Sequence, residues 1–248
     1  MANIRNKQTG VIIMNTIGII GAMEVEVETL KKDMNVLKTI NKAGMEFFSG
    51  SLKGQNVVVV RSGIGKVNAA VCTQILVDDF QIDAVINTGI AGSLKAEINI
   101  GDMVISTDLA HHDMDARGFG YPLGQIPQME VFSFDTDEFL AELAKKACEE
   151  VNPDINVFRG RIVSGDQFIS DKQVKKNIVE SFDGYCTEME GAAIAQAAYL
   201  NNIPYVVIRA ISDKADDSAT MDYPAFEKLA VQHSVNLVEK FLEYVSGQ

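Results

Sequence analysis

Ile17-Gly18-Ile19-Ile20-Gly21-Ala22-Met23-Glu24-Val25-Glu26 is the stretch that decides the fold. A short apolar run ending in glycine has the length and composition of a strand buried on both faces. Glu24 to Met34 then reads as a helix, because acidic residues in a first turn suit the positive end of the peptide dipole. A buried strand turning through glycine into a helix is the opening of an α/β domain.

Working outward, the same alternation continues. Met45 to Leu52 and Val57 to Arg61, separated by Lys53-Gly54-Gln55-Asn56, predict a hairpin. Lys66 to Phe80 predicts a helix with Val67, Ala70, Val71 and Ile75 on one face. Strands are expected at Ala84–Asn87, Met103–Ser106, Val157–Val163 and Tyr205–Ile208. Asp135, with Glu138 three residues on, predicts the cap of a helix whose buried face is Leu140, Leu143, Ala144, Ala147 and Val151. Further helices are expected over Ala192–Leu200 and Pro224–Tyr244. Residues 111–133, with three glycines and two prolines, form a long loop, and long ordered loops usually carry function. No linker and no repeat interrupts the pattern. The expectation is one α/β domain, a three-layer α/β/α sandwich around a central mixed sheet.

Residues 1–16 precede the first clear strand and are read as an N-terminal extension to a domain over 17–248. Met14 is a candidate natural start. Val11-Ile12-Ile13-Met14 is too short and badly flanked for a signal peptide, so a cytoplasmic location is expected. No window supplies the ~20 apolar residues of a membrane span. A formal net charge of −12 over 248 residues repels phosphate backbones, which argues against nucleic acid as a partner. Cys72, Cys148 and Cys186 are odd in number and widely spaced, which fits a reducing compartment and small packed core residues.

Several motifs fail on inspection. Ser62-Gly63-Ile64-Gly65-Lys66 lacks the glycine that a phosphate loop needs at position 60, which is Val60, and the hydroxyl that should follow the lysine, where Val67 stands. With Asn68 in place of a third glycine it is no dinucleotide fingerprint either. His111-His112-Asp113 has only His233 as a further histidine, and His233 falls on a helix face with Phe226, Ala230, Leu237 and Phe241. Neither a metal site nor a cofactor is expected. There is no Gly-x-Ser-x-Gly elbow for a serine triad.

What remains is a set of polar clusters just after predicted strands, where open α/β sheets bind ligands. They are Ile17 to Glu26, Ser62-Gly63-Ile64-Gly65-Lys66-Val67-Asn68-Ala69-Ala70, Asn87-Thr88-Gly89-Ile90-Ala91-Gly92, and the loop Phe119 to Pro127. Downstream come Val163-Ser164-Gly165-Asp166-Gln167-Phe168-Ile169, Glu188-Met189-Glu190-Gly191-Ala192, and Arg209-Ala210-Ile211-Ser212-Asp213. In this order and spacing the chain resembles the methylthioadenosine/S-adenosylhomocysteine nucleosidases, from Ile17 nearly to the C-terminus. The resemblance implies a nucleoside phosphorylase-like fold, a homodimer, and cleavage of the N-glycosidic bond of 5′-substituted thioadenosines to release adenine.

That reaction develops positive charge on the sugar, needs a proton on the purine, and needs a base for the incoming water. The resemblance gives the acid role at purine N7 to Asp213, with Ser212 orienting it, and burial is expected to raise the Asp213 pKa. By composition alone Asp213 is as readily a helix cap. Glu26 takes the role of base by motif register, since Glu24 and Glu28 are alternatives by composition. Glu190 accepts the ribose cis-diol with Met189 packed on the sugar. Phe168 stacks on adenine and the Ile169 backbone reads the purine edge; Gly92 belongs to the same substrate-binding set. Met23, Ile64, Tyr223 and Phe226 are candidates for the apolar 5′ pocket, and Phe119 and Pro127 enter from the partner subunit.

Three residues depart from the family pattern. Ile90 stands where a serine helps hold the water, leaving that to Glu26 and Arg209. Tyr223 replaces a phenylalanine, and Arg117 a smaller residue. Rival activities are phosphorolysis on the same fold, hydrolysis of 5′-deoxyadenosine or aminodeoxyfutalosine, and plain nucleoside binding. Phosphorolysis conflicts with Asn87 and Ile90 at positions suited to phosphate ligands and with the charge of Glu26. Retention of both Glu26 and Asp213 speaks against mere binding.

Overall fold

A computed structural model describes residues 14–216 and 219–247, with the side chains of 220–225 outside the described set. Strands and helices alternate as expected. The strands are β1 (Ile17–Gly21), β2 (Asn35–Lys42), β3 (Met45–Leu52), β4 (Gln55–Arg61), β5 (Ala84–Ser93), β6 (Met103–His111), β7 (Phe134–Asp135), β8 (Val157–Ser164), β9 (Cys186–Glu188) and β10 (Tyr205–Asp213). The helices are α1 (Glu24–Asp33), α2 (Lys66–Phe80), α3 (Glu138–Val151), α4 (Lys172–Phe182), α5 (Gly191–Asn201) and α6 (Ala219–Ser246).

All strands join one mixed sheet. From the free edge the order is β2-β3-β4-β1-β5, and β1 is parallel to both β4 and β5. Beyond that point the sheet curls closed: β5 pairs with β10, β10 with β6, β6 with β8, β8 with β9, and β9 returns to the last residues of β5. Strand β5 is the hinge of this arrangement, and its ten residues are all buried. One face of the sheet packs on α1, α3 and α6 through residues such as Leu30, Leu140 and Phe241. The other packs on α2 and α5 through Cys72, Leu76 and Ile194. These are the three expected layers. A smaller cluster under α4 holds Ile169, Ile178, Phe182 and Ala215.

Several expectations need correction. The cap of α3 is Asp137, whose side chain accepts from Leu140 N at 3.0 Å. Asp135 is occupied in β7, paired with Asp108 of β6. The buried stripe of α3 is Leu140, Ala141, Ala144, Ala147 and Cys148, with Leu143 and Val151 only partly covered. In α2 it is Ala69, Cys72 and Leu76 that face the sheet, while Val67 and Val71 are exposed. Strand β10 continues five residues past Ile208, so Asp213 ends the strand rather than following it. Helix α6 begins at Ala219, upstream of Pro224. Met14, grouped above with the extension, packs in the core, and its carbonyl accepts from Gln55 Nε2 at 2.7 Å.

The sheet thus depends on helices at both faces. Phe241 is fully buried on α6 against the β1 and β5 side of the core. Phe241→Ala is expected to lower unfolding stability by about 3–5 kcal/mol in urea titration, the usual cost of an aromatic deletion that leaves a cavity. A loss under about 1 kcal/mol would mean that α6 is not a structural layer.

Candidate active site

The carboxyl ends of β1, β5 and β10 converge on a cavity of about 500 Å³. This is where a doubly covered sheet leaves room for a ligand. Glu26, Glu190, Asp213, Ser212, Met189 and Phe168 line it, together with Met23, Ile64 and Ile90. Of the sequence-predicted residues, Met23, Glu26, Ile64, Phe168, Met189, Glu190, Ser212 and Asp213 therefore meet in one place, although they come from segments up to 187 residues apart in number, Glu26 to Asp213.

Glu26 lies in the first turn of α1, and its carboxylate folds back over the β1–α1 turn. Oε2 accepts from Ala22 N at 2.7 Å and Met23 N at 2.9 Å, and Oε1 from Ile90 N at 3.2 Å. The group is 4% exposed. Burial raises its pKa, and the charge of Arg209 and the three N–H donors only partly offset this. A side chain at position 89 is excluded here: a Cβ on Gly89 would lie 2.7 Å from Glu26 Oε1 and 2.5 Å from Arg209 Nη1.

Arg209 is the buried cation of the site, at 2% exposure. Its Nη2 donates to Asn87 Oδ1 at 2.6 Å and to Glu188 Oε2, and lies 3.9 Å from Glu190 Oε2. Asn87 is fixed in turn by donating to Ile20 O at 2.9 Å. Glu188 ends β9. It also accepts from the Ser164 hydroxyl and from the N–H groups of Glu190 (3.0 Å) and Gly191 (2.7 Å) at the start of α5. Burial would raise its pKa, but Arg209, Ser164 and these N–H groups hold it below the usual carboxylate value. Glu190 accepts from Gly65 N at 2.8 Å. Burial, and then the negative charge of Glu188, push its pKa up to about 7.

Asp213 sits across the cavity at 2% exposure. Its Oδ2 accepts from the Ser212 hydroxyl at 2.9 Å and its Oδ1 from Ala215 N at 2.7 Å. Gly92 is its register partner in β5, and a Cβ there would come within 2.8 Å of Asp213 Oδ1. Phe168 stands at the rim, 49% exposed, while Ile169 beside it is buried against Ala215 and Phe182. The loop carrying them is tied down by Asp166, which accepts from Lys66 N at 2.8 Å and donates its own N–H to Asp113 at 3.0 Å.

Other expected residues fall elsewhere. Phe226 is 37% exposed and does not line the cavity. The Tyr223 side chain lies outside the described residues. Phe119 is 87% exposed in a short 3₁₀ turn, and neither it nor Pro127 reaches the cavity of its own chain. Arg117, a departure noted above, is paired with Asp115 at 2.7 Å. His111 bonds Gln196 at 3.0 Å, and burial lowers the pKa of both His111 and His112. Among the described residues no three metal-ligating side chains converge. Glu188, Asn87 and Ser164 are site-forming residues that received no role from sequence. The signal available was the Glu188-x-Glu190 spacing at a strand end.

The sequence profile of the Phosphorylase superfamily matches residues 16–243. A Staphylococcus aureus protein described as a 5′-methylthioadenosine/S-adenosylhomocysteine nucleosidase is 46% identical over 220 residues, covering 88% of this chain and 95% of its own. The crystal structure of the nucleosidase of the same name from Neisseria meningitidis, in complex with methylthio-immucillin-A, superposes with a TM-score of 0.89 at 40% identity, covering 93% and 99% of the two chains. The futalosine hydrolase of Helicobacter pylori gives a TM-score of 0.87 at 33% identity, covering 93% and 98%. With this likeness along nearly its whole length, the chain belongs to the 5′-methylthioadenosine/S-adenosylhomocysteine nucleosidase family of the phosphorylase superfamily.

Proposed function

We propose that the chain hydrolyses the N-glycosidic bond of 5′-methylthioadenosine and S-adenosylhomocysteine, giving adenine and the 5-thioribose product. The observation that carries this reading is the meeting of four buried carboxylates, Glu26, Glu188, Glu190 and Asp213, in one otherwise mainly apolar cavity. In the reaction the bond from C1′ to purine N9 breaks and its electron pair goes to the base. Asp213 supplies a proton to N7, and Ser212 holds its second oxygen. Water attacks C1′ from the opposite face and gives its proton to Glu26, whose raised pKa makes it a stronger base. Glu190 accepts the ribose hydroxyls, and Met189 packs on the sugar. Phe168 stacks on adenine, while the Ile169 backbone meets the purine edge and Gly92 leaves space beside Asp213. Met23, Ile64, Tyr223 and Phe226 form the 5′ pocket.

Phosphorolysis fits this site poorly. An attacking phosphate would meet the Glu26 carboxylate, and the cation beside it among the described residues, Arg209, is already engaged by Glu188 and Asn87. Release of these products suits a role in methionine salvage and methyl-cycle recycling. A cytoplasmic location is supported by three free buried thiols. Residues 17–248 form the catalytic domain, with 1–16 as its extension, of which Met14 packs back on the core.

The working unit in this reading is a homodimer in which Phe119 and Pro127 close the neighbouring site. Two features support it. Ile64 at the cavity mouth is 53% exposed, and α2 and α5 present an apolar face of Val67 (74% exposed), Val71 (40%) and Leu200 (63%) that no described residue of this chain covers.

Adenine release from methylthioadenosine is expected in phosphate-free buffer, with free methylthioribose as the second product. A strict phosphate requirement would make the enzyme a phosphorylase, and faster turnover of a futalosine-type nucleoside would move the substrate. In the same assay Asp213→Asn is expected to lose roughly 10²–10⁴-fold in kcat while still binding adenine; near-normal turnover would remove Asp213 from the acid role. Because Glu26 and Glu190 act as acceptors and both are shifted upward, their active ionised forms appear only as pH rises. The kcat/KM profile is therefore expected to climb through an ionisation near 7, the Glu190 value. A profile flat from about pH 5 to 8 contradicts that assignment. Sedimentation is expected to show a dimer, with Phe119→Ala raising KM roughly tenfold or more through lost apolar contact. A fully active monomer would refute the shared site.

A further inference from the structure

We propose that Glu188 is a positioning residue: a single buried carboxylate that anchors Arg209 on the Glu26 side of the cavity and the start of α5 on its Glu190 side, and so sets the gap that receives the ribose. This rests on the nucleosidase reading above. Glu188 borders the cavity, yet its bonding capacity is spent inside the protein. Oε1 takes the Ser164 hydroxyl. Oε2 takes Arg209 Nη2, Glu190 N at 3.0 Å and Gly191 N at 2.7 Å. Four donors leave it little capacity to bind substrate, which separates its role from that of Glu190.

The geometry says what the anchor prevents. Arg209 Nη2 is held by Glu188 and Asn87 and stays 3.9 Å from Glu190 Oε2. Its Nη1 lies beside Gly89 and the Glu26 carboxylate. Without the Glu188 charge, the carboxylates left beside this buried guanidinium are Glu190 and Glu26. Arg209 would swing onto Glu190 and occupy the oxygen that the ribose diol needs. Among the described residues, the charged groups that act on Glu190 are Glu188, Arg209 and Glu26. Loss of Glu188 therefore removes repulsion from Glu190 and adds attraction, both in the direction of easier ionisation.

The test is binding of two probes by calorimetry, adenine and methylthio-immucillin-A, to wild type, Glu188→Gln and Glu188→Asp. Gln keeps the size but turns one acceptor into a donor, facing either Ser164 or the Arg209 and α5 N–H groups. Adenine does not use the ribose gap, so its affinity is expected to stay within about twofold, while the ribose-bearing inhibitor loses about tenfold or more. Glu188→Asp restores part of the loss, and in Glu188→Gln the ionisation near 7 in the kcat/KM profile moves to lower pH. Equal losses for both probes, or none for either, would overturn the proposal. Should Glu188→Gln fail to fold, Ser164→Ala removes one donor to Glu188 and carries the same test, with the same selective pattern at about threefold; unselective or absent loss there counts equally against it. A wild type that neither binds nor releases adenine refutes the nucleosidase reading itself, a result visible before any variant is compared.

Discussion

A buried guanidinium constrains the architecture of this site. Taking Arg209 out of solvent costs several kcal/mol unless anions meet it in good geometry. The fold supplies them from three directions: Glu188 from β9, Glu190 from the start of α5 and Glu26 from α1. One cation cannot neutralise three carboxylates. Each of the three adjusts by a different route. Glu188 takes the direct ion pair and the N–H groups of α5 and stays ionised. Glu26 takes three backbone N–H groups and is still raised. Glu190 is left with one N–H and a repelling neighbour, and holds its proton up to about pH 7.

The same constraint explains why the backbone around the site is so closely specified. Gly89 and Gly92 sit where a Cβ would enter the carboxylates of Glu26 and Asp213. Both belong to β5, the strand on which the open part of the sheet meets the closed part. Because β5 pairs on one side with β1 and β9 and on the other with β10, it brings four chain segments to one end of the sheet. The side chains of those segments are carried by a buried ladder, so loss of sheet register would displace the acid and base sides together.

Much of this was legible in the sequence. β1, β3 and α2 fall where apolar run, hairpin and helical period put them. The first turn of α1 identified Glu26 only through motif register, since Glu24 and Glu28 carry the same charge at similar places. Other elements carried no readable period. Strand β2 is exposed at nearly every residue and exists through pairing with β3. Helix α4 has a cap, Asp171, but its buried stripe is only Ile178 and Phe182, too few apolar positions to mark a helical period. Strand β10 appeared to end at Ile208 because Arg209 breaks the apolar run; only its burial by distant carboxylates keeps it inside a strand. Glu188 was invisible as a site-former for the same reason. Its partners Ser164 and Arg209 are remote in sequence, and spacing cannot reveal that they meet. The outward face of α2 was read as an apolar face, but period alone does not tell a core face from one that another surface must cover.

The charge pattern also bears on the reaction step itself. With Glu26, Glu188 and Arg209 ionised the group around the sugar carries net negative charge, and it becomes more negative once Glu190 gives up its proton. That charge is a burden on the folded protein, visible in the raised Glu26 and Glu190. A neutral nucleoside relieves little of it. The transition state proposed above carries positive charge on the ribose, between these same carboxylates, in a cavity whose walls are mainly apolar and screen poorly. Attraction that is weak in the ground state and strong at the transition state lowers the barrier rather than KM alone. A neutral water can enter such a site to complete the reaction; a phosphate anion would have to overcome the same field that stabilises the sugar cation.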